Sequence, residues 1–161
     1  MGTFSKGTNM NLILWRHAEA EDVATTDLAR QLTSHGRKQA QTAAKWLHSR
    51  LPKDALIFAS PAARTIQTVE ALTDQYRIVK EIAPGAAAKD VLAAVGWPTG
   101  VAQTVVVVGH QPTLGLVAAQ LVAGQSQAWQ IKKGGIWWLQ TRQRNDEDEL
   151  LVRAVVSPDL A

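Results

Sequence analysis

Three short apolar runs in this 161-residue sequence each deliver a cation or an imidazole at their carboxyl end. Leu12-Ile-Leu-Trp15 stops at Arg16-His17. Ala55-Leu-Ile-Phe-Ala-Ser60 leads to Pro61 and, one turn later, Arg64. Thr104-Val-Val-Val-Val-Gly109 runs straight into His110. A guanidinium presents a fork of donors that matches phosphate oxygens, and a neutral imidazole is a competent nucleophile. Together the four side chains describe a pocket for a phosphoryl group and a nucleophile. One Arg-His pair after a strand would be an ordinary solvated loop; repetition at three strand ends carries the reading.

For these groups to meet, the runs must be neighbouring strands that point the same way. Each is strand-length, without polar alternation, as expected of a strand covered on both faces in a parallel sheet. Ligands of such sheets sit beyond the carboxyl ends of the strands, where all four groups would emerge. Helical signals alternate with the strands. Thr33 is a helix start, with Ala40, Ala43, Ala44 and Leu47 at helical spacing. Pro61 suits the first turn of a helix that carries Arg64, packs through Ile66, Val69 and Leu72 or Thr73, and ends at Asp74-Gln75. An Arg there adds a bidentate donor to a helix amino terminus, itself an anion site. Arg77–Ile82 reads as a short strand, Ala86–Val95 as a helix stopped by Gly96-Trp97-Pro98, and Pro112-Thr113 to Val122 as a helix closed by Gly124. Glu19–Gln31 reads as a rim loop, from which Arg30 points at the pocket or at water. The last third is strand-like at 128–131, 135–141 and 150–156, with polar turns at 132–134 and 144–149, the final pair forming an antiparallel edge hairpin. The expected fold is α/β: a three-layer sandwich with a mostly parallel central sheet, helices on both faces, and an antiparallel C-terminal edge.

Four blocks in order, Arg16-His17-Ala18, Leu32-Thr33-x-x-Gly36-x-x-Gln39-Ala40, Ser60-Pro61-x-x-Arg64-x-x-Gln67-Thr68 and Val108-Gly109-His110, resemble the histidine phosphatase superfamily, the phosphoglycerate-mutase-like phosphatases. The short chain without a lid-sized insertion is similar to the SixA-type phosphohistidine phosphatases of that superfamily. The resemblance implies a covalent mechanism in which His17 becomes phosphorylated and water later releases the phosphate. It implies that Arg16 and Arg64 hold the phosphoryl oxygens and that His110 donates to one of them, with no cofactor and no metal. The implied substrate is a phosphohistidine-bearing signalling protein. A small-molecule phosphomonoesterase of the same superfamily, or a catalytically silent anion-binding regulatory module, is the alternative. Two departures matter. Ala18 stands where the wider family has Gly, and no segment aligns with the one that supplies a carboxylic acid to many members. Glu81 is the nearest candidate acid, with Glu19, Glu21 and Asp22 behind it.

Composition narrows the class. A chain with 46% hydrophobic residues and a net charge of only +3 suits one domain and requires no nucleic-acid footprint. It has no Cys, which excludes disulfides and thiolate metal sites and fits a reducing, cytoplasmic setting. No apolar run approaches the roughly 20 residues of a membrane helix, so no membrane partner is expected. Met1–Asn9 reads as an expression tag before a single domain over 10–161. Trp129, Trp137 and Trp138 are read as core and edge cover, and there is no Gly-rich dinucleotide or phosphate loop.

Overall fold

The computed structural model describes residues 9–161, so the expected tag lies, apart from Asn9, outside the described residues. The three chemistry-bearing runs are strands of one six-stranded sheet. They are β1 (Asn11–Arg16), β2 (Leu56–Ala59) and β4 (Thr104–Gly109); β3 (Arg77–Ile78), β5 (Ile136–Arg144) and β6 (Glu147–Val156) complete the order β3-β2-β4-β1-β5-β6. The first four are mutually parallel, and β5 and β6 add antiparallel to the β1 side. β4, the most β-branched segment, is central and buried along its whole length. Its pairing of Val108 with Trp15 and Ala59, and of Gly109 with Arg16, aligns the three carboxyl ends.

Because side chains alternate across a strand, the sheet builds two cores. Leu12, Leu14, Val105, Val107 and Leu139 face α3 (Ala88–Val95) and α4 (Thr113–Ala123). Ile13, Trp15, Val106, Val108 and Trp138 face α1 (Ser34–His48) and α2 (Ala63–Glu70). The helices thus cover both faces, as the α/β reading requires. No helix among the described residues is long and apolar enough to cross a membrane.

Several boundaries differ from expectation for identifiable reasons. Pro61 lies outside α2: the helix begins at Ala63, and the Ala62 N–H donates to Ser60 Oγ at 3.3 Å. Arg64 nevertheless keeps its place on the opening turn. That helix ends at Glu70, four residues early, in tight turns from Ala71 to Thr68 and from Leu72 to Val69. Beyond Ile78 the expected strand becomes a 3-10 turn, Lys80–Ile82, which brings Ile82 into the core. Ala128–Ile131 is not a strand. Its carbonyls are used elsewhere: Trp129 O accepts from Gln111 Nε2 and Ile131 O from Arg16. The turn expected over 144–149 shrinks to Asn145-Asp146, both at positive φ (52° and 63°), the geometry that suits a two-residue hairpin.

The second sequence block turns out to be a clamp on the segment after His17. Thr33 caps α1 by accepting from the Gly36 N–H at 2.9 Å, and its hydroxyl donates to Glu19 Oε1 at 2.9 Å. Gln39 Oε1 accepts from the Glu19 N–H at 2.9 Å. A Cβ on Gly36 would collide with the Glu19 carbonyl oxygen, which only glycine lets approach this closely. Gly36→Ala sets a helix-propensity gain of about 1 kcal/mol against an overpacking cost of about 1–3 kcal/mol. The obstacle is backbone and cannot swing away, so the cost wins. Urea unfolding should show a lowered midpoint at unchanged slope; an unchanged or raised midpoint contradicts the clamp.

Candidate active site

Arg16 and His17 leave β1 under constraint. The Arg16 N–H donates to Gly135 O (3.0 Å), the His17 N–H to Gly109 O (3.0 Å), and the His17 carbonyl accepts from the Gly134 N–H (3.0 Å). Trp15 Nε1 donates to Gly134 O at 3.1 Å, and the Ala18 N–H donates to Thr68 Oγ1 at 3.0 Å. Ala18 itself is fully buried against Leu32 and Ala40, so its methyl is core. From the same motif, Gln67 Oε1 accepts from the Leu32 N–H at 2.8 Å. Much of the sequence signature therefore holds backbone in place.

The four predicted residues do converge. Arg16, His17, Arg64 and His110 line one cavity of about 200 Å³ at the carboxyl edge of the sheet. Their backbones belong to β1, α2 and the end of β4, and the two imidazole centroids are 5.3 Å apart. His17 Nδ1 lies 2.7 Å from the Ala18 carbonyl oxygen. A carbonyl can only accept, so Nδ1 carries the proton and Nε2 keeps a lone pair with no protein partner. Arg16 Nη1 donates to Ile131 O at 2.7 Å. Arg64 donates through Nη1 to Asp27 O (2.9 Å) and through Nη2 to Asp27 Oδ2 (3.2 Å). Each arginine is thus oriented from one side while its Nε stays unengaged.

Among the described residues, three buried side-chain polar atoms lack a hydrogen-bond partner: Arg16 Nε, Arg64 Nε and His110 Nδ1. All three belong to side chains of this cavity. Buried polar groups are ordinarily satisfied, so their concentration in one place marks a site that awaits an acceptor with several oxygens.

The rim adds residues that sequence reasoning did not single out, Lys133 and Gln111, and draws Arg30 to the pocket rather than away from it. Asp27 was missed as well. It is exposed, and it bridges Arg64 and Arg30. What burial it has raises its pKa, but the charges and hydrogen bonds of the two arginines more than reverse this and hold it below the usual carboxylate range. Gln111 follows His110 directly, whereas Lys133 and Asp27 reach the site from loop segments far from the strand ends, where no local pattern reveals them. Glu81 is a correction: it lines a different groove, with Arg77 and Asp90, and is no part of this cavity. Glu19 is occupied by Thr33. Asp22 is the carboxylate on the cavity lining.

Burial sets the protonation of both histidines. It pushes His17 down to about 4; the bond to Ala18 opposes the shift, and the charges of Arg64, Arg16 and Arg30 add to it. Burial likewise pushes His110 down to about 3, aided by Arg64, His17 and Arg30 and opposed by Asp27. Both imidazoles are neutral at pH 7, which suits a nucleophile and a neutral donor. Because the folded values lie below the ordinary 6.5, the unfolded chain binds protons that the folded chain refuses as pH falls below 6.5. Stability is therefore full above that pH and declines towards pH 4, by about 1.4 kcal/mol per pH unit for each histidine. Urea titrations at pH 7 and pH 5 should show this loss, and His17→Asn should lessen it. Equal stability of the wild type at the two pH values contradicts it.

The family model for the histidine phosphatase superfamily (branch 1) matches residues 12–87. A phosphohistidine phosphatase SixA homolog of Haemophilus influenzae is 32% identical in a match of 127 aligned positions that covers 70% of this chain and 77% of that protein. Phosphohistidine phosphatase SixA of Escherichia coli K12 is 29% identical in a match of 125 aligned positions that covers 73% of this chain and 77% of its own length. A solved structure of the protein histidine phosphatase SixA complexed with tungstate superposes with a TM-score of 0.75 over 93% of this chain and 98% of that one; at 23% identity it speaks to the fold. With its four motif blocks assembled on that fold, the chain belongs to the histidine phosphatase superfamily, in its SixA-type branch, and is a hydrolase of phosphoryl groups.

Proposed function

We propose that this single-domain chain is a cytoplasmic phosphohistidine phosphatase that acts on a phosphorylated signalling protein. The observation that carries the reading is the clustering of the unpartnered Arg16 Nε, Arg64 Nε and His110 Nδ1 around the free Nε2 of His17. In the first step the His17 Nε2 lone pair forms a bond to phosphorus as the substrate's P–N bond breaks, the electron pair returning to the departing imidazole, which leaves neutral because its other ring nitrogen carries a proton. In the second, a water oxygen bonds to phosphorus, the P–N bond to His17 breaks with its electron pair returning to Nε2, and the water's proton stays with the released phosphate. Arg16 and Arg64 hold the phosphoryl oxygens while charge shifts among them. A preorganised donor of this kind is typically worth about 3 kcal/mol in the barrier.

The leaving group favours phosphohistidine. An imidazole nitrogen, with a reference pKa near 6.5, departs far more readily than an alkoxide and needs no strong general acid. A protein substrate is supported by the surroundings. Lys133 lines both the cavity and an adjoining open groove of about 470 Å³ bordered by His35, Lys38 and Lys132, which leaves room for polypeptide beside the phosphoryl group. The relatives named above as phosphohistidine phosphatases point the same way.

One observation favours a second reading, a general phosphomonoesterase: Asp22 is on the lining, where a carboxylic acid could protonate an alkoxide. Turnover on a phosphohistidine protein, an aryl phosphate and an alkyl phosphate separates the two. Phosphohistidine and aryl phosphate should far outrun the alkyl ester, Asp22→Asn should change little, and His17→Ala should abolish turnover on all three. If the alkyl ester is hydrolysed as fast, and Asp22→Asn costs on the order of 100-fold as loss of a general acid does, the phosphomonoesterase reading replaces the first. Undiminished turnover by His17→Ala would sink both.

A further inference from the structure

Ser60 belongs to the third motif block, yet nothing so far gives its side chain a chemical task. It is fully buried, and its Oγ lies 2.7 Å from His110 Nε2. That oxygen also accepts from the Ala62 N–H at 3.3 Å. A hydroxyl has one proton to give, and His110 Nε2 is the acceptor within reach. If Nε2 carried the proton instead, the buried hydroxyl hydrogen would be left without a partner. That loss does not arise if Ser60 donates.

We infer that Ser60 is a positioning residue that fixes His110 as the Nδ1–H tautomer and thereby makes its free ring nitrogen a donor toward the phosphoryl group. The two histidines then have complementary roles set by two different anchors. The Ala18 carbonyl accepts from the Nδ1–H of His17 and leaves an electron pair on Nε2; the Ser60 hydroxyl donates to Nε2 of His110 and leaves a hydrogen on Nδ1. One ring attacks phosphorus, and the other meets an oxygen. Free neutral histidine favours the opposite tautomer, so the serine has something to overcome. The depressed pKa of His110 is consistent with a donor that stays neutral throughout. This inference rests on the phosphatase reading only for what the donor faces; the tautomer itself does not.

The test pairs a spectroscopic with a kinetic readout in the full-length protein. In wild type labelled with 15N-histidine, NMR at pH 7 should show the His110 proton on Nδ1 and none on Nε2. In Ser60→Ala it should move to Nε2 or divide between the two, with the melting temperature giving an independent check that the variant is folded. On an aryl phosphate, kcat should fall by about 10- to 100-fold with KM little changed, at or below the loss of a whole oxyanion donor. A wild-type Nε2–H tautomer, or an Ala variant with unchanged tautomer and kcat, overturns the inference. Absence of turnover in the wild type would instead count against the proposed function and leave the NMR result standing.

Discussion

Two guanidinium groups and two imidazoles share one small cavity, and the cost of burying like charges together governs what surrounds them. Removing an ion from water without a partner costs several kcal/mol, against a total stability of about 5–15 kcal/mol for a domain. The fold limits that cost in two ways. Each arginine keeps part of its fork bonded, Arg16 to the Ile131 carbonyl and Arg64 to the backbone and carboxylate of Asp27. Both histidines stay neutral, so they add no charge to those of Arg16, Arg64, Arg30 and Lys133. Among the described residues, the buried side-chain polar atoms left without partners all belong to residues that line the cavity.

Holding such a site open requires a scaffold that does not collapse onto it. Buried central strands are the most stable part of such a fold, and β4 lies between β2 and β1 at its centre. The backbone of the His17 segment is then tied at successive points, to Gly109, Gly134 and Thr68. Around it a ring of polar side chains, Thr33, Gln39, Gln67 and Thr68, satisfies backbone amides and carbonyls that a loop would otherwise leave to water. Function and packing meet at single residues here: Thr68 accepts from Ala18 and donates to the Arg64 carbonyl at 2.7 Å, linking two of the pocket-lining segments.

Much of this was legible in the sequence because it is local. Strand-length runs of Val, Ile and Leu, a threonine before an alanine-rich helix, and Gly96 and Gly124 at helix ends in the left-handed region each declare themselves within a few residues. The motif residues at the strand ends could be gathered into one pocket because parallel strands leave no other place for them to meet. What stayed hidden is long-range. The irregular path at 128–131 follows from Gln111 and Arg16, which claim its carbonyls, and from Gly115, whose missing side chain lets the Trp129 carbonyl sit against α4. Asp27 and Lys133 lie on connecting segments whose positions no periodicity sets, and Asp22, one of the candidate acids, reaches the cavity on such a segment. Glu81, the nearest candidate acid in the sequence, falls on the 3-10 turn after β3, which places it on another groove.

The claim at the centre is that the unpartnered donors and the free His17 nitrogen form one receptor for a tetrahedral oxyanion. A crystal structure of the protein soaked with tungstate tests it directly. The tungsten should lie bonded to, or in contact with, His17 Nε2, with the oxyanion's oxygens accepting from Arg16, Arg64 and His110 Nδ1. Tungstate bound only along the groove of Lys38, Lys132 and Lys133, with those three donors still without partners, would contradict it.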